Sequence, residues 1–189
     1  MIKLPLPSAL SRLNYLPTLK YFDRYIFEKL AIPSKVGGNI GIACFEMPQN
    51  QSNYNYILEV SSYQLDLITN TRFNIACLLN ITPDHIDRHG SFEGYITAKK
   101  RIFLNQNSQD FAIIDNDNSN SLKVFEDLQN DKNFKANLVA ISTKKIPQNG
   151  VAVIDKKVFV NLENQKFQFK KVIESTKLLY LLVIYISTD

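Results

Sequence analysis

Two aspartates and both of the chain's histidines fall between positions 84 and 89, within Asn80-Ile81-Thr82-Pro83-Asp84-His85-Ile86-Asp87-Arg88-His89-Gly90-Ser91. A neutral imidazole can ligate a metal or position a substrate, and its charge changes near neutrality. His85 therefore reads as a ligand, as a positioning group or as a satisfied structural histidine, with Asp84 and Asp87 orienting it or capping a turn. At helical distance follows Ala98-Lys99-Lys100-Arg101-Ile102-Phe103, in which Lys99 is either a functional amine or a solvated lysine like its neighbour Lys100.

Two further groupings carry chemistry. Glu59 is the acid in the otherwise apolar end of Tyr54-Asn55-Tyr56-Ile57-Leu58-Glu59-Val60, with Ser61, Ser62 and Gln64 directly after it. A carboxylate near the end of a buried strand is costly unless it meets a cation or several donors. Mg²⁺, which takes oxygen ligands, is one solution; a lysine partner beside a capped helix start is the other. Gly37-Gly38-Asn39-Ile40-Gly41 places three glycines in five positions. Backbone N–H groups there could approach a phosphate or sugar closely, and Asn39 adds a side-chain donor and acceptor. The same residues also make ordinary turns.

The elements that must position these groups follow from hydrophobic spacing. Tyr54 to Val60 and Ile75 to Leu79 read as strands, the second leading straight into the His-Asp run. Open α/β sheets place their chemistry beyond the C-terminal ends of such strands. Ser61-Ser62 caps a short helix through Leu67, and Ser91 caps a longer one through Leu104, with Phe92, Tyr95, Ile96, the Lys99 stem and Phe103 on one face. Phe111 to Asp115 and Leu138 to Ile141 are predicted strands, with a helix over Ser119 to Asn130 between them. Val151 to Ile154 and Val158 to Asn161 alternate around Asp155-Lys156-Lys157 as a β-hairpin. Upstream, Leu19, Phe22, Ile26 and Leu30 have helical spacing. The expectation is an α/β fold: a mostly parallel sheet flanked by helices, with a small antiparallel hairpin addition.

Composition narrows the function classes. In 189 residues, 22 Lys+Arg against 18 Asp+Glu give a net charge of +4, and the basic residues are scattered. No nucleic-acid partner is expected, because that role needs a concentrated basic patch. The longest apolar stretch, Leu178 to Ile186, falls short of the about 20 residues that span a bilayer. Lys3 followed by Pro5 and Pro7 is unlike a signal peptide. Cys44 and Cys77 lack any Cys-x-x-Cys spacing and are expected to be reduced, buried small residues. A soluble, cytoplasmic protein without a membrane partner is the resulting expectation.

Residues 34 to 173 resemble the central ATPase domain of the Mur ligases of peptidoglycan synthesis, through Leu58-Glu59-Val60-Ser61-Ser62-Tyr63-Gln64-Leu65, Asn80 to Gly90, and Tyr95 to Phe103. An aromatic before Gln64 resembles the D-glutamate-adding branch. The diaminopimelate- or lysine-adding branch, which usually carries His at the position of Tyr63, is the runner-up. The resemblance implies Mg²⁺ and ATP as cofactors, and UDP-N-acetylmuramoyl-L-alanine and D-glutamate as substrates joined through an acyl phosphate. It implies Glu59, His85 and Lys99 as metal ligands, Lys99 as a carbamate, and Lys99 and His85 as the catalytic pair. Gly37, Gly38 and Asn39 would line the UDP-sugar, with Ser61 and Gln64 beside its reacting end.

The family's Gly-x-x-Gly-Lys-Ser/Thr loop, which cradles the triphosphate, has no counterpart upstream of Gly37, where no glycine occurs. Residues 1 to 33 are read as an irregular lead-in plus one helix, 34 to 173 as an incomplete P-loop-type central domain, and 174 to 189 as an off-pattern apolar tail. The chain is accordingly expected to be a ligase fragment that does not run the reaction alone. The alternatives are one piece of a split ligase completed by complementary fragments, or a non-catalytic UDP-sugar- or partner-binding module.

Overall fold

Each apolar run that brackets a polar cluster forms a strand. In a computed structural model of the protein, the residues described are 27–28, 31–39, 41–48, 53–155, 157–162 and 165–169. The predicted Thr18–Leu30 helix lies almost wholly outside them, and the apolar tail lies outside them entirely. The chain divides into two compact units, Met1–Val60 and Ser61–Asp189.

In the first unit, β1 (Ser34–Gly38) and β2 (Asn55–Glu59) pair in parallel, with Gly38 opposite Glu59. β1 is not evident from hydrophobic spacing, since Val36 is its sole large apolar residue. Its two glycines are required by close backbone approach. A Cβ on Gly37 would lie 2.3 Å from the Ile42 carbonyl oxygen, and one on Gly38 would lie 2.2 Å from the Glu59 carbonyl oxygen. Gly38 also has φ +109°, a region that L side chains avoid. Cys44, expected to be buried, is exposed, because it opens a 3-10 turn (Cys44–Glu46) that buries none of its residues. Cys77 is half-buried in the second unit.

The second unit is a six-stranded sheet in the order β3 (Ile75–Leu78), β4 (Phe111–Asp115), β5 (Asn137–Ser142), β6 (Gly150–Ile154), β7 (Lys157–Leu162), β8 (Gln165–Phe169). β3 to β6 run parallel, and β6-β7-β8 are antiparallel. The expected α/β class with an antiparallel addition is thus present, and the hairpin gains a third strand, β8. Among the described residues four α-helices accompany the sheet: α1 (Ser62–Asp66), α2 (Ile86–His89), α3 (Phe92–Lys100) and α4 (Ser119–Asn130). The predicted helix through Leu104 is α-helical only to Lys100 and continues as a 3-10 turn over Arg101–Phe103.

Side chains alternate across a strand, so β3 and β4 feed two cores. Ala76, Leu78, Ala112 and Ile114 pack with Tyr95, Phe103, Val124 and Leu128 of the helical layer. Ile113 packs on the other face with Val139, Ile141, Val151, Val158 and Val160. Burial on both faces explains why β4 reads as an unbroken apolar run. Among the described residues no helix is long and apolar enough to cross a membrane.

Candidate functional site

In the second unit, the segment after β2 becomes a helix because Ser61 and Gln64 cap it reciprocally. The Gln64 backbone N–H donates to Ser61 Oγ at 3.3 Å, while Gln64 Oε1 accepts from Ser61 N–H at 2.9 Å. The Ser61 hydroxyl donates to the same Oε1 at 3.2 Å. These two residues, expected beside a substrate, therefore also build the start of α1. The helix is then pinned from the elements that follow. His89, nearly fully buried, has Nδ1 3.3 Å from Asp66 Oδ2 and Nε2 3.0 Å from Ser62 Oγ. Arg101 donates through Nε to the Leu65 carbonyl at 2.8 Å and through a terminal nitrogen to the Ile68 carbonyl. His89 is thus the satisfied structural histidine of the pair.

His85 is placed differently. It sits beyond the C-terminal end of β3, where Ile81 is fully buried and its carbonyl accepts from Asn120 Nδ2 at 3.0 Å. His85 N-caps α2 in a left-handed conformation, φ 52° and ψ 32°, which is uncommon for a residue with a Cβ. Asp84 holds it there, accepting the His85 N–H at 2.8 Å and lying 3.4 Å from Nε2. The imidazole meets Tyr63 edge-on at 5.1 Å between centroids and Tyr95 at 6.4 Å.

Lys99 lies one turn beyond Tyr95 on α3, with Nζ 5.2 Å from the Tyr95 ring centroid. His85 and Lys99 are therefore arranged about one tyrosine ring. Burial lowers the pKa of the Lys99 amine, and the nearby Asp84 carboxylate only partly opposes this. Burial also raises the Tyr95 phenol, with Asp84 adding to the effect. The neighbouring Lys100 differs, pointing to Asp127 Oδ2 at 3.5 Å.

The other predicted residues, Gly37, Gly38, Asn39 and Glu59, gather in the first unit. The Asn39 N–H donates to the Glu59 carbonyl at 2.7 Å and the Gly38 N–H to the Ile42 carbonyl at 2.9 Å, leaving the Asn39 side chain exposed and Glu59 half-buried. The sequence pointed to Asp84 as a group that orients His85, but not to Tyr63 and Tyr95 beside the imidazole. Tyr95 has a signal, its i to i+4 relation to Lys99, but it reads there only as core.

Among the described residues, no three His, Cys, Asp or Glu side chains converge as a metal cluster. The second unit offers one imidazole, the Asp84 carboxylate and an amine that burial makes easier to neutralise. Asp84 offers oxygen and His85 nitrogen, and because Mg²⁺ takes chiefly oxygen ligands, Lys99 would join such a site only by supplying oxygen rather than nitrogen.

Residues 23–179 match the model of the Mur ligase middle domain. The chain belongs to this family. A UDP-N-acetylmuramoylalanine--D-glutamate ligase from Rickettsia prowazekii is 36% identical over 163 residues, which cover 86% of this chain and 36% of the relative. A protein of the same name from Caulobacter vibrioides is 52% identical over 81 residues, covering 43% of this chain and 17% of its own length. The chain thus spans about a third, or less, of the curated relatives it matches. Among solved structures, a UDP-N-acetylmuramoylalanyl-D-glutamyl-2,6-diaminopimelate--D-alanyl-D-alanyl ligase from Acinetobacter baumannii superimposes with TM-score 0.56 at 11% identity. It is covered over 40% of its length by 90% of this chain. A UDP-N-acetylmuramoyl-L-alanyl-D-glutamate--2,6-diaminopimelate ligase gives 0.53 at 15% identity, with 97% of this chain and 48% of that one covered. At such identities the likeness is one of fold. In this Mur ligase middle domain, the His85–Lys99 bracket lies past β3 and the Ser61–Gln64 cap opens the second unit.

Proposed function

We propose that this Mur ligase middle domain serves an ATP-dependent amide ligase that joins D-glutamate to UDP-N-acetylmuramoyl-L-alanine. The observation that carries the reading is Lys99, half-buried against Tyr95 with its amine pKa lowered chiefly by burial. A neutral amine is what addition to CO₂ requires. The Lys99 nitrogen lone pair forms a bond to the CO₂ carbon, the nitrogen loses a proton to solvent, and an anionic carbamate oxygen replaces a cation. That oxygen and His85 are the proposed holders of Mg²⁺ in the second unit, with Asp84 fixing the imidazole; Glu59 is assigned a metal-ligand role by its place in the motif Leu58-Glu59-Val60 alone.

Bound Mg²⁺–ATP supplies charge neutralisation during phosphoryl transfer to the substrate carboxylate. Gly37, Gly38 and Asn39 are assigned to the UDP-sugar. The Ser61–Gln64 cap consumes Gln64 Oε1, so the Nε2 donors of Gln64 are the atoms assigned to the reacting end. The D-glutamate amine then attacks the acyl phosphate, phosphate leaves and an amide forms. Gripping the triphosphate and completing turnover are assigned to residues outside these 189, on the same polypeptide or a complementing one. The 189 residues alone are expected to release no ADP.

Two measurements test this reading. ¹³C-bicarbonate is expected to give a carbamate carbonyl signal that Lys99→Met removes and Lys100→Met keeps. Residues 34–173, placed in the corresponding segment of the Rickettsia prowazekii relative, are expected to support ADP release that needs both UDP-N-acetylmuramoyl-L-alanine and D-glutamate. Lys99→Ala in that chimera should lower the rate roughly a hundredfold or more. A folded chimera that accepts diaminopimelate instead of D-glutamate, or a carbamate signal indifferent to Lys99, refutes the proposal.

A further inference from the structure

We infer that Tyr63 is a positioning residue for His85: its ring, with that of Tyr95, brackets the imidazole and presents it for a divalent cation. The inference rests on the proposed role of His85 as a ligand, but its geometry stands on its own. His85 occupies a left-handed backbone position at the start of a four-residue helix. Its side chain is 47% exposed. An exposed imidazole free to sample rotamers loses that freedom on binding a metal, and groups that orient a ligand in advance reduce the loss.

The orienting groups come from three elements. Tyr63 on α1 meets the ring at 5.1 Å with an interplanar angle of 79°, a T-shaped arrangement that aromatic pairs favour. Tyr95 on α3 approaches the same imidazole at 6.4 Å and 66°. Asp84 lies 3.4 Å from Nε2. Tyr63 is itself held, with the Arg88 guanidinium 5.6 Å from its ring centroid and His89 at 5.8 Å. Since His89 is tied to α1 through Ser62 and Asp66, the Tyr63 ring inherits the rigidity of that tie. Tyr63 is 41% exposed, so its placement owes little to core packing and much to these ring contacts.

The chain's two histidines make the test direct. In the histidine-labelled 189-residue chain, NOEs between the Tyr63 ring and the His85 ring are expected, together with ring-current-shifted His85 protons. Tyr63→Phe keeps the ring and should leave the His85 resonances in place. Tyr63→Leu should move them toward ordinary positions, while His89, tied at both nitrogens, keeps its nitrogen shifts. With Mn²⁺ alone as the probe, in bicarbonate buffer, Tyr63→Leu should raise the concentration that half-broadens His85 about three- to tenfold, and Tyr63→Phe should not. His85 signals and Mn²⁺ response unchanged in Tyr63→Leu overturn the inference. If Tyr63→Leu does not fold, absence of the Tyr63–His85 NOEs in the parent chain overturns it equally. Failure of Mn²⁺ to broaden His85 in the parent refutes the ligand reading, and the NOEs and ring shifts still decide whether Tyr63 positions the imidazole.

Discussion

Burial and charge pull Lys99 in opposite directions, and burial wins. A lysine whose pKa is lower folded than unfolded binds fewer protons in the folded state between the two values. Stability therefore rises with pH as it passes through the folded value toward the ordinary 10.5. Below that window the chain carries a poorly solvated cation. Lys99→Met is expected to raise the urea midpoint near neutral pH and to flatten the alkaline rise; melts across that range measure both, and an unchanged profile refutes the account. Asp117 shows the reverse balance. Burial alone would push its carboxyl up, but donors from Ser142 Oγ at 2.5 Å and from Thr143 N and Oγ1 at 2.6 Å, with Lys144 nearby, bring it down. Burial thus prevails at Lys99 and is overruled at Asp117, according to neighbours that the residue list does not contain.

At the scale of elements, α1 shows how much of a short helix is made elsewhere. Five residues form too few internal bonds to persist alone. The Ser61–Gln64 box is local and legible, since Ser followed three positions later by Gln is a helix-start pattern. The ties from His89 and Arg101 come from positions more than twenty residues away. His89→Ala removes both imidazole contacts and is expected to cost about 2 kcal/mol. Hydrogen exchange should show faster exchange at the Leu65 and Leu67 amides, which bond to Ser61 and Gln64 carbonyls, with α4 unchanged. Uniform loss of protection across both helices contradicts this role. Strands β2 to β7 were legible because each is a bounded apolar run. β1 was not, since its glycines are explained only by the Ile42 and Glu59 carbonyls they approach. β8, with the residues Gln-Lys-Phe-Gln-Phe, needs β7 beside it to become a strand.

Across the second unit, the two ends of the parallel strands do different work. At their N-terminal ends Asp110, fully buried, accepts from Asn107 N–H at 2.7 Å and Asn74 Nδ2 at 3.2 Å and pairs with Arg72 Nε at 3.3 Å. Its carbonyl accepts from Asn137 N–H at 2.8 Å, so the starts of β4 and β5 meet there. At the C-terminal ends lie Asp84, His85 and, after β4, Asp117. Asp110→Ala is expected to destabilise the chain by about 3 kcal/mol, read as a lower urea midpoint. The Lys99 carbamate signal should survive under folding conditions. Loss of that signal in a folded Asp110→Ala chain would mean that the two ends are not separable in this way.

The order of motifs, the alternation of strands and helices and the caps at Ser61 and Ser91 were determined by the sequence, because those features depend on residues a few positions apart. They sufficed to point to the Mur ligase family and to name His85 and Lys99. Only the tertiary structure decided which histidine is structural, how Asp84 and burial compete over Lys99, and that two tyrosines from separate helices bracket His85. Those outcomes depend on distances between residues far apart in the chain, and spacing along a sequence carries no measure of them.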